Sequence, residues 1–263
     1  MRHALCCLLL ALPAPFVAAT EAPVHHALSV TLDPASRTLR GIDTVTLRRG
    51  NVTGFALRRG FTVDRLVVDG QPQEPLGRDG RIALALAERP THEILIEYRA
   101  ELTAPPNGTA PSGPVAGPQG SFLPAAGWFP DLGGPFTYEL TVDVPDPQRA
   151  VTSGRLTSET TADGRYRATF SSEVAVVELS LFAGPWRIAE RIHRGWRLRA
   201  YFDDAVVDLA DTYLERIASY LDLYDGWIGT YPYSGFAVVS GPFPVGWGFP
   251  GLTYLGTRVI RSR

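Results

Sequence analysis

Between His25 and about Ile192, apolar and polar residues alternate in short runs, which is typical of β-strands with one buried face. The clearest run is residues 136–144, where Phe, Tyr, Leu and Val hold every even position and polar residues hold every odd one. Other such runs are ALSVTL, FTVDRLVV, RIALAL, EILIEY and VAVVELSLF, and Asp-Gly pairs at 69–70 and 79–80 predict tight turns. Short, regular strands without helices predict an antiparallel sandwich or a curved open sheet, so the fold is expected to be mainly β.

Residues 103–135 interrupt this alternation with a segment rich in Pro and Gly. A loop of that length inside a compact domain is usually functional or disordered. The half up to Gly120 has the composition of a disordered segment. The second half contains Phe122, Leu123, Trp128 and Phe129, and these apolar residues predict that it packs.

The hydrophobic period changes near Trp196. WRLRAYF predicts one more strand, and from Asp203 to Ile228 apolar residues recur at spacings of three and four. That spacing predicts a long amphipathic helix, which Asp203 and Asp204 are well placed to cap. Tyr231-Pro232 ends the helix, and GFAVVS predicts the next strand. A β region is therefore followed by a mixed α/β region.

The first 19 residues combine a basic start, an apolar core and the small residues Val17-Ala18-Ala19. This pattern predicts a secretory signal peptide over residues 1–19 and an exported protein, periplasmic or secreted. Cys6 and Cys7 are the only cysteines and leave with the signal, so the exported chain has no disulfide. No later apolar run reaches the roughly 18 residues that a membrane-spanning helix needs.

Charge and short motifs exclude several classes of function. The net charge is −2 and no basic stretch occurs, so nucleic acid is not an expected partner. His92-Glu93 begins a His-Glu-x-x-His motif, but Ile96 stands where the second His is needed. Neither a Gly-x-Ser-x-Gly elbow nor a P-loop nor a dinucleotide fingerprint is present. The Asn-x-Thr patterns at Asn51 and Asn107 are short and common, and chance explains them best.

Four longer segments follow one another along the chain in an order that carries a family resemblance. Residues 25–47 contain a strand, an Asp-Pro turn, a basic residue and a Gly before the next strand, and residues 120–154 contain an aromatic-Pro pair before a strand that ends in Val-Pro. Residues 170–186 and 220–256 add a final strand, then a helix, a Pro-Tyr turn and a further strand. This order resembles the zinc aminopeptidase family that includes aminopeptidase N and leukotriene hydrolase.

The resemblance implies a saddle-shaped β domain over residues 20–195. It also implies that residues 196–263 are the opening α/β part of a thermolysin-like catalytic domain. In the family, the segment that matches Val245–Thr253 is an edge strand beside the substrate cleft, and such a strand binds an extended peptide through its backbone. A peptide is therefore the expected partner, and the candidate substrate-binding residues are Gly246, Trp247, Gly248, Phe249 and Pro250.

The candidate strand departs from the family pattern at one position. Typical members carry Gly-Ala-Met-Glu-Asn here, and the Glu grips the free amino group of the substrate. When Gly251-Leu252-Thr253 is aligned with the family's Gly-Leu-Thr, Gly248 occupies the Glu position. Selectivity for free N-termini is then not expected, and Trp247 or Phe249 would shape an apolar pocket. The alternative is a Gly/Pro turn whose aromatic residues cover a core.

The family's zinc helix, His-Glu-x-x-His with a later Glu, would follow this strand, and residues 1–263 contain no such motif. The expectation is an N-terminal fragment of an exported zinc metallopeptidase, with zinc in the full-length family and none in this chain. On that interpretation one face of the long helix lacks neighbours, which exposes Tyr213, Leu221 and Tyr224. The alternative is a non-catalytic exported β module that binds peptide or a protein partner through Val245–Thr253 and the Trp128 loop.

We expect the purified 263-residue chain to contain no stoichiometric zinc and to cleave no aminoacyl-anilide, because both zinc-ligating histidines of the motif are missing. Elemental analysis and a chromogenic anilide assay measure the two quantities. Detection of a tightly held zinc ion, or of anilide cleavage that copurifies with the chain, contradicts this expectation.

Overall fold

The computed structural model describes residues 24–48, 52–172 and 174–262. The predicted signal peptide, both cysteines and Asn51 of the first glycosylation pattern lie outside these ranges. Within them, the strands in chain order are β1 (Val24–Asp33), β2 (Thr38–Arg48), β3 (Gly54–Ala56), β4 (Phe61–Val68), β5 (Gln71–Pro72), β6 (Gly77–Arg78), β7 (Arg81–Ala83), β8 (Thr91–Glu101), β9 (Ser121–Leu123), β10 (Phe136–Pro145), β11 (Arg149–Thr152), β12 (Arg155–Ala162), β13 (Arg165–Ser171), β14 (Leu181–Gly184), β15 (Arg187–His193), β16 (Trp196–Phe202), β17 (Gly235–Gly241), β18 (Gly246–Phe249) and β19 (Leu252–Gly256). The α-helices are α1 (Ala210–Ile228) and α2 (Thr257–Arg261), and a 3-10 turn at Val207–Leu209 precedes α1. The mainly β prediction is confirmed.

The largest sheet has eight strands in the order β12-β13-β10-β1-β2-β8-β4-β5. All neighbours are antiparallel except β1 and β10, which run parallel with Val24 opposite Phe136. The predicted antiparallel sheet is therefore mixed at one pair. A parallel pair needs a long connection between its two strands. Here the connection from β1 to β10 runs through β2–β9 and includes the segment over residues 103–135.

The apolar positions of the alternating runs are the buried side chains of the strands. On β10 the side chains of Phe136, Tyr138 and Leu140 are buried together with those of Val142 and Val144, as the pattern predicted. The run VAVVELSLF is an exception, because its strand begins only at Leu181 and Val177 is largely exposed. That run lacks strict alternation, so no single face of it is buried.

The predicted packing of the second half of the long loop is confirmed. Trp128 and Phe129 are fully buried, and the indole Nε1 of Trp128 donates a hydrogen bond to the Leu179 carbonyl at 2.9 Å. In the first half, Val115 is also buried and exchanges two backbone hydrogen bonds with Phe122 of β9. Strand β9 pairs with β14, and β14 with β11, in a three-stranded sheet. A second three-stranded sheet has the order β3-β7-β6.

The second half of the chain forms a five-stranded sheet in the order β15-β16-β17-β19-β18. Strands β16, β17 and β19 are parallel, and β15 and β18 run antiparallel at the two edges. Helix α1 connects β16 to β17 and covers one face of the sheet, where Leu198 and Phe202 contact apolar residues of the helix. This sheet begins at Arg187, and the domain boundary at residue 195 stays a prediction.

Helix α1 begins later than predicted, at Ala210. Asp203 accepts a hydrogen bond from the Ala205 N–H and therefore stabilises the turn after β16, not the helix N-terminus. Its buried positions are Ala210, Leu214, Ala218 and Leu221, because this face of the helix packs on the five-stranded sheet.

The expected exposed face of α1 is correct for Tyr224 and wrong for Leu221, which is buried. Tyr213 is also partly covered and meets Phe202 edge-to-face, with ring centroids 5.4 Å apart. The large apolar residues that α1 exposes are Tyr220, Leu223, Tyr224, Trp227 and Ile228. Among the described helices, none is long and apolar enough to cross a membrane.

A buried arginine joins the five-stranded sheet to the eight-stranded one. Arg199 of β16 donates to both carboxylate oxygens of Glu159 on β12, at 2.6 and 3.2 Å, and the Tyr166 hydroxyl donates to the same carboxylate at 2.7 Å. Glu190 Oε2 lies 3.0 Å from Arg199 Nε as an ion pair without hydrogen-bond alignment. Burial alone would raise the pKa of Glu159, but the hydrogen bonds from Arg199 and Tyr166 lower it below its ordinary value.

We expect Glu159→Gln to lower the free energy of unfolding by about 1–3 kcal/mol at neutral pH, because charge-assisted hydrogen bonds are lost. A carboxyl whose pKa is lowered by folding stabilises above its ordinary pKa of about 4.3, and this contribution disappears as the pH falls through the folded-state value. Urea denaturation of both proteins at neutral and acidic pH measures the difference.

Glu215→Gln is the matched control, since Glu215 is exposed on α1 and, among the described residues, its carboxylate pairs only with Arg191, at 3.3 Å. Its effect should stay within about 0.5 kcal/mol. Equal losses for the two variants, or a Glu159→Gln loss that persists in acid, would show that Arg199 does not hold the sheets together as described.

Candidate functional site

The five predicted substrate-binding residues lie together in one hairpin at the edge of the five-stranded sheet. Gly246–Phe249 form β18, which pairs with β19 and with no other described strand. Pro250 and Gly251 make the turn between them, and Gly251 has a φ of +71°, a conformation that favours glycine. The hairpin therefore presents a free strand edge beside a tight turn.

The aromatic residues of β18 face the three-stranded sheet β11-β14-β9. The Trp247 indole stacks on Phe122 with centroids 4.7 Å apart and planes 25° apart. Phe249 meets Phe182 edge-to-face at 5.5 Å. Both side chains are half-buried and pack against a core cluster. This placement agrees with the alternative interpretation, in which the aromatic residues of a Gly/Pro turn cover a core.

The opposite face of β18 carries only glycine. Gly246 and Gly248 are exposed, and a Cβ atom added at Gly248 would meet nothing within 4 Å. At Gly246 it would meet only Leu255, at 3.6 Å, which is ordinary van der Waals contact. This face therefore leaves the backbone of the strand accessible.

The direction of the peptide groups follows from the hairpin register. The Gly256 N–H donates to the Val245 carbonyl at 2.8 Å, and Gly246 lies opposite Leu255. Because hydrogen-bonded pairs alternate in an antiparallel ladder, Trp247 and Phe249 turn their peptide groups towards β19. Gly246 and Gly248 consequently turn their N–H and C=O groups outward, to the free edge.

The edge is electrically neutral. Residues 231–256 contain no acid, base or histidine, so the strand itself offers no carboxylate to an ammonium group. The chemistry available at this edge is backbone hydrogen bonding alone.

A layer of buried rings holds the hairpin in place. Tyr254 of β19 stacks on Phe182 at 5.1 Å, and its hydroxyl accepts a hydrogen bond from the Phe243 N–H at 2.9 Å. Burial raises the pKa of Tyr254 well above its usual range, so the phenol stays neutral. Trp186 fixes the end of β17 by donating to the Ser240 carbonyl at 2.9 Å.

Sequence reasoning did not assign Phe182, Trp186 or Tyr254 to the site. The alternation Leu252-Thr253-Tyr254-Leu255 gave a signal for Tyr254, because it places Leu252 and Tyr254 on one face of a strand. The other two residues lie in separate strands or turns far along the chain, and their pairing with β18 has no local signature.

The histidines of the described chain do not fit a catalytic zinc site. Within residues 24–48, 52–172 and 174–262 no group of three or more His, Cys, Asp or Glu side chains is placed to hold a metal ion. The histidine–carboxylate pairs His26–Asp43, His92–Asp69 and His193–Asp222 are joined at 2.7, 2.8 and 2.9 Å. A catalytic zinc takes three protein ligands, and these pairs lie in separate parts of the fold.

No sequence model of a known protein family matches the chain, and no curated protein matches it. Solved structures do match. An M1 zinc metallopeptidase from Deinococcus radiodurans, as a mutant bound to a Tyr-Ser-Ala substrate, is similar with a TM-score of 0.74 and 21% identity over 94% of this chain and 63% of that one. Another M1 zinc metallopeptidase structure from Deinococcus radiodurans gives a TM-score of 0.71 with the same identity and coverage.

A two-domain M1 zinc metallopeptidase mutant bound to L-arginine gives a TM-score of 0.69, with 23% identity over 93% of this chain and 63% of that one. The present chain therefore shares the fold of M1 zinc metallopeptidases over nearly its whole length. It spans about 63% of the length of the structures that it matches.

We expect Trp247→Ala to lower the free energy of unfolding by about 2–4 kcal/mol, because a half-buried indole that stacks on Phe122 leaves a cavity. Trp227→Ala is the matched control: Trp227 is 74% exposed, and its loss should cost less than about 0.5 kcal/mol. Urea denaturation followed by circular dichroism measures both. Equal stabilities of the two variants would mean that the Trp247 stack contributes nothing.

Proposed function

We propose that this chain forms the N-terminal β domain and one wall of the substrate cleft of a zinc peptidase, and that the edge of β18 binds an extended peptide. The observation that carries the proposal is the pair of outward peptide groups at Gly246 and Gly248 on an unpaired strand edge. A strand edge of this kind accepts a peptide by β-strand addition. The similarity to metallopeptidase structures, one of them bound to Tyr-Ser-Ala, supports the choice of ligand.

The proposed edge binds peptides without regard to a free amino terminus. An ammonium group is recognised by a carboxylate, and β18 presents only glycine on its open face. The hydrogen bonds from Gly246 and Gly248 are available equally to a blocked peptide and to the interior of a longer one. We therefore propose that peptides with acetylated N-termini bind at β18 as well as free ones do.

Zinc, in this proposal, is held by ligands outside the described residues, since the histidines described do not fit it. The bound metal would supply an activated water for peptide hydrolysis. The part that this chain plays is to bind the peptide backbone and orient it. We also propose, from residues 1–19, that the protein is exported to the periplasm or secreted.

The direct test is hydrogen exchange by NMR with Tyr-Ser-Ala and its N-acetyl derivative as probes. In the free protein the amides of Gly246 and Gly248 should exchange quickly, and those of Trp247 and Phe249 slowly. Saturating peptide should slow the two glycine amides and leave the other two unchanged, because only the glycines face the added strand. No change at Gly246 and Gly248 while either peptide binds would contradict strand addition here.

We expect Gly248→Pro to weaken peptide binding by about tenfold, because proline removes the N–H donor at the edge. Gly248→Ala is the matched control: it keeps the N–H, and the space around its Cβ is open. Isothermal titration calorimetry measures both affinities. An affinity of Gly248→Pro equal to that of the Ala variant would show that this amide is not used.

We expect Gly248→Glu to create a preference for the free peptide of roughly five- to tenfold over its acetylated form, because a carboxylate then faces the amino group. Gly246→Glu adds the same charge two residues away and serves as the control. The natural chain should bind the two peptides with affinities within about twofold of each other. A strong preference of the natural chain for free amino termini would contradict the proposed indifference.

The competing function is a non-catalytic exported β module that uses the same edge. Peptide binding alone does not separate the two, since both need β18. The DNA that follows codon 263 does: an in-frame or frameshifted His-Glu-x-x-His supports the peptidase, and its absence from the locus supports the binding module.

A further inference from the structure

A cavity of about 270 Å³ lies between the eight-stranded and the five-stranded sheets, and Gly251 in the turn after β18 is among its lining residues. One wall comes from β11–β13 and the other from β15–β17. Apolar side chains supply much of the lining, chiefly Leu156, Phe170, Ile192 and Phe236. Cavities of this size, at the lower end of small-molecule sites, often lie where two parts of a fold meet.

Three arginines are among the residues that line the same cavity, Arg155, Arg197 and Arg199. The carboxylates that face them are Glu159 and Glu190. Arg199 forms ion pairs with both carboxylates, with Glu159 at 2.6 Å and with Glu190 at 3.0 Å, so its charge is already compensated. The cluster as a whole retains one positive charge in excess.

The excess charge resides on Arg155 and Arg197. Arg197 is held loosely, by the Leu156 carbonyl at 3.4 Å and by Glu190 at 3.7 Å. The Arg155 side chain makes no hydrogen bond or ion pair with any residue in the described part of the chain. Both side chains have N–H donors free to bind an anion.

We propose that this cavity binds a small carboxylate that carries an apolar group, with Arg155 and Arg197 holding the carboxylate and the apolar walls covering its side chain. Arginine forks match the planar, two-oxygen geometry of a carboxylate. A single excess charge suits a monoanion better than a phosphate. The shared chemistry belongs both to a free aryl or alkyl carboxylic acid and to the C-terminal residue of an apolar peptide.

Binding here would strengthen the junction of the two sheets. Arg155 stands on β12 and Arg197 on β16, so one carboxylate would connect the same two strands that Arg199 and Glu159 already join. A ligand that binds only the folded chain raises its thermal midpoint. The cavity lining includes no residue of β18, and the proposal does not rest on peptide binding there.

The test is calorimetric titration of the full chain with phenylacetate and with N-acetyl-Gly-Phe, which represent the two sources of the carboxylate. Phenylacetamide, which has the same shape without the charge, is the control ligand. We expect saturable 1:1 binding of at least one carboxylate, a raised thermal midpoint, and affinity at least about tenfold above that of the amide. If phenylacetate binds more tightly, the natural ligand is a free carboxylic acid. If N-acetyl-Gly-Phe binds more tightly, it is the C-terminal residue of a peptide.

Arg155→Gln and Arg197→Gln should each weaken carboxylate binding by about fivefold or more. Arg216→Gln, on the exposed side of α1, removes the same charge elsewhere and should change nothing. Gly248→Pro, which removes the β18 donor, should also leave this binding intact, so the outcome is independent of the peptide proposal. No saturable binding of either carboxylate, equal affinity for the amide, or equal effects of Arg155→Gln and Arg216→Gln would overturn the proposal.

Discussion

The stacking of Trp247 on Phe122 is the contact on which the candidate site depends. It joins a strand at the edge of the five-stranded sheet to the three-stranded sheet that the long loop helps to build. Aromatic pairs of this kind gain both from burial and from ring geometry. Since side chains alternate along a strand, committing Trp247 and Phe249 to one face leaves Gly246 and Gly248 on the other. The packing on one side of β18 thus determines what its other side presents.

The same alternation governs the backbone. In an antiparallel hairpin a residue sends its N–H and C=O either to its partner strand or away from it. Trp247 and Phe249 use theirs on β19, so the groups left for a ligand belong to the glycines. The absence of charge along residues 231–256 is then no obstacle to binding, because a peptide backbone needs donors and acceptors and not ions.

Local pattern predicted the individual elements well. The strand at Phe136–Pro145 lies where alternation placed it, because one buried face imposes a period of two. The strand at Trp196–Phe202 also lies where it was predicted, although it is buried on both faces. The parallel pairing of β1 with β10 could not be predicted from local pattern, since it joins residues more than a hundred positions apart. The start of α1 was misplaced because Asp203 stabilises a preceding turn instead of the helix.

In the candidate site, too, local sequence predicted the segment but not its long-range contacts. The resemblance placed one edge strand over Val245–Thr253, where the structure has β18, a turn and the start of β19. Which face of β18 meets Phe122 and Phe182 is a matter of tertiary packing. Arg199 and Glu159 stand forty positions apart, and their ion pair has no counterpart in local sequence. Sequence thus indicated the segment, and packing decided which of its groups are exposed.

The most direct measurement is an isotope-filtered NOE experiment on the labelled chain with unlabelled N-acetyl-Tyr-Ser-Ala. Strand addition at β18 predicts contacts between the backbone protons of the peptide and the α-protons or amides of Gly246 and Gly248, with none to the Trp247 indole. Contacts confined to other surfaces, or to the indole ring alone, would contradict the account.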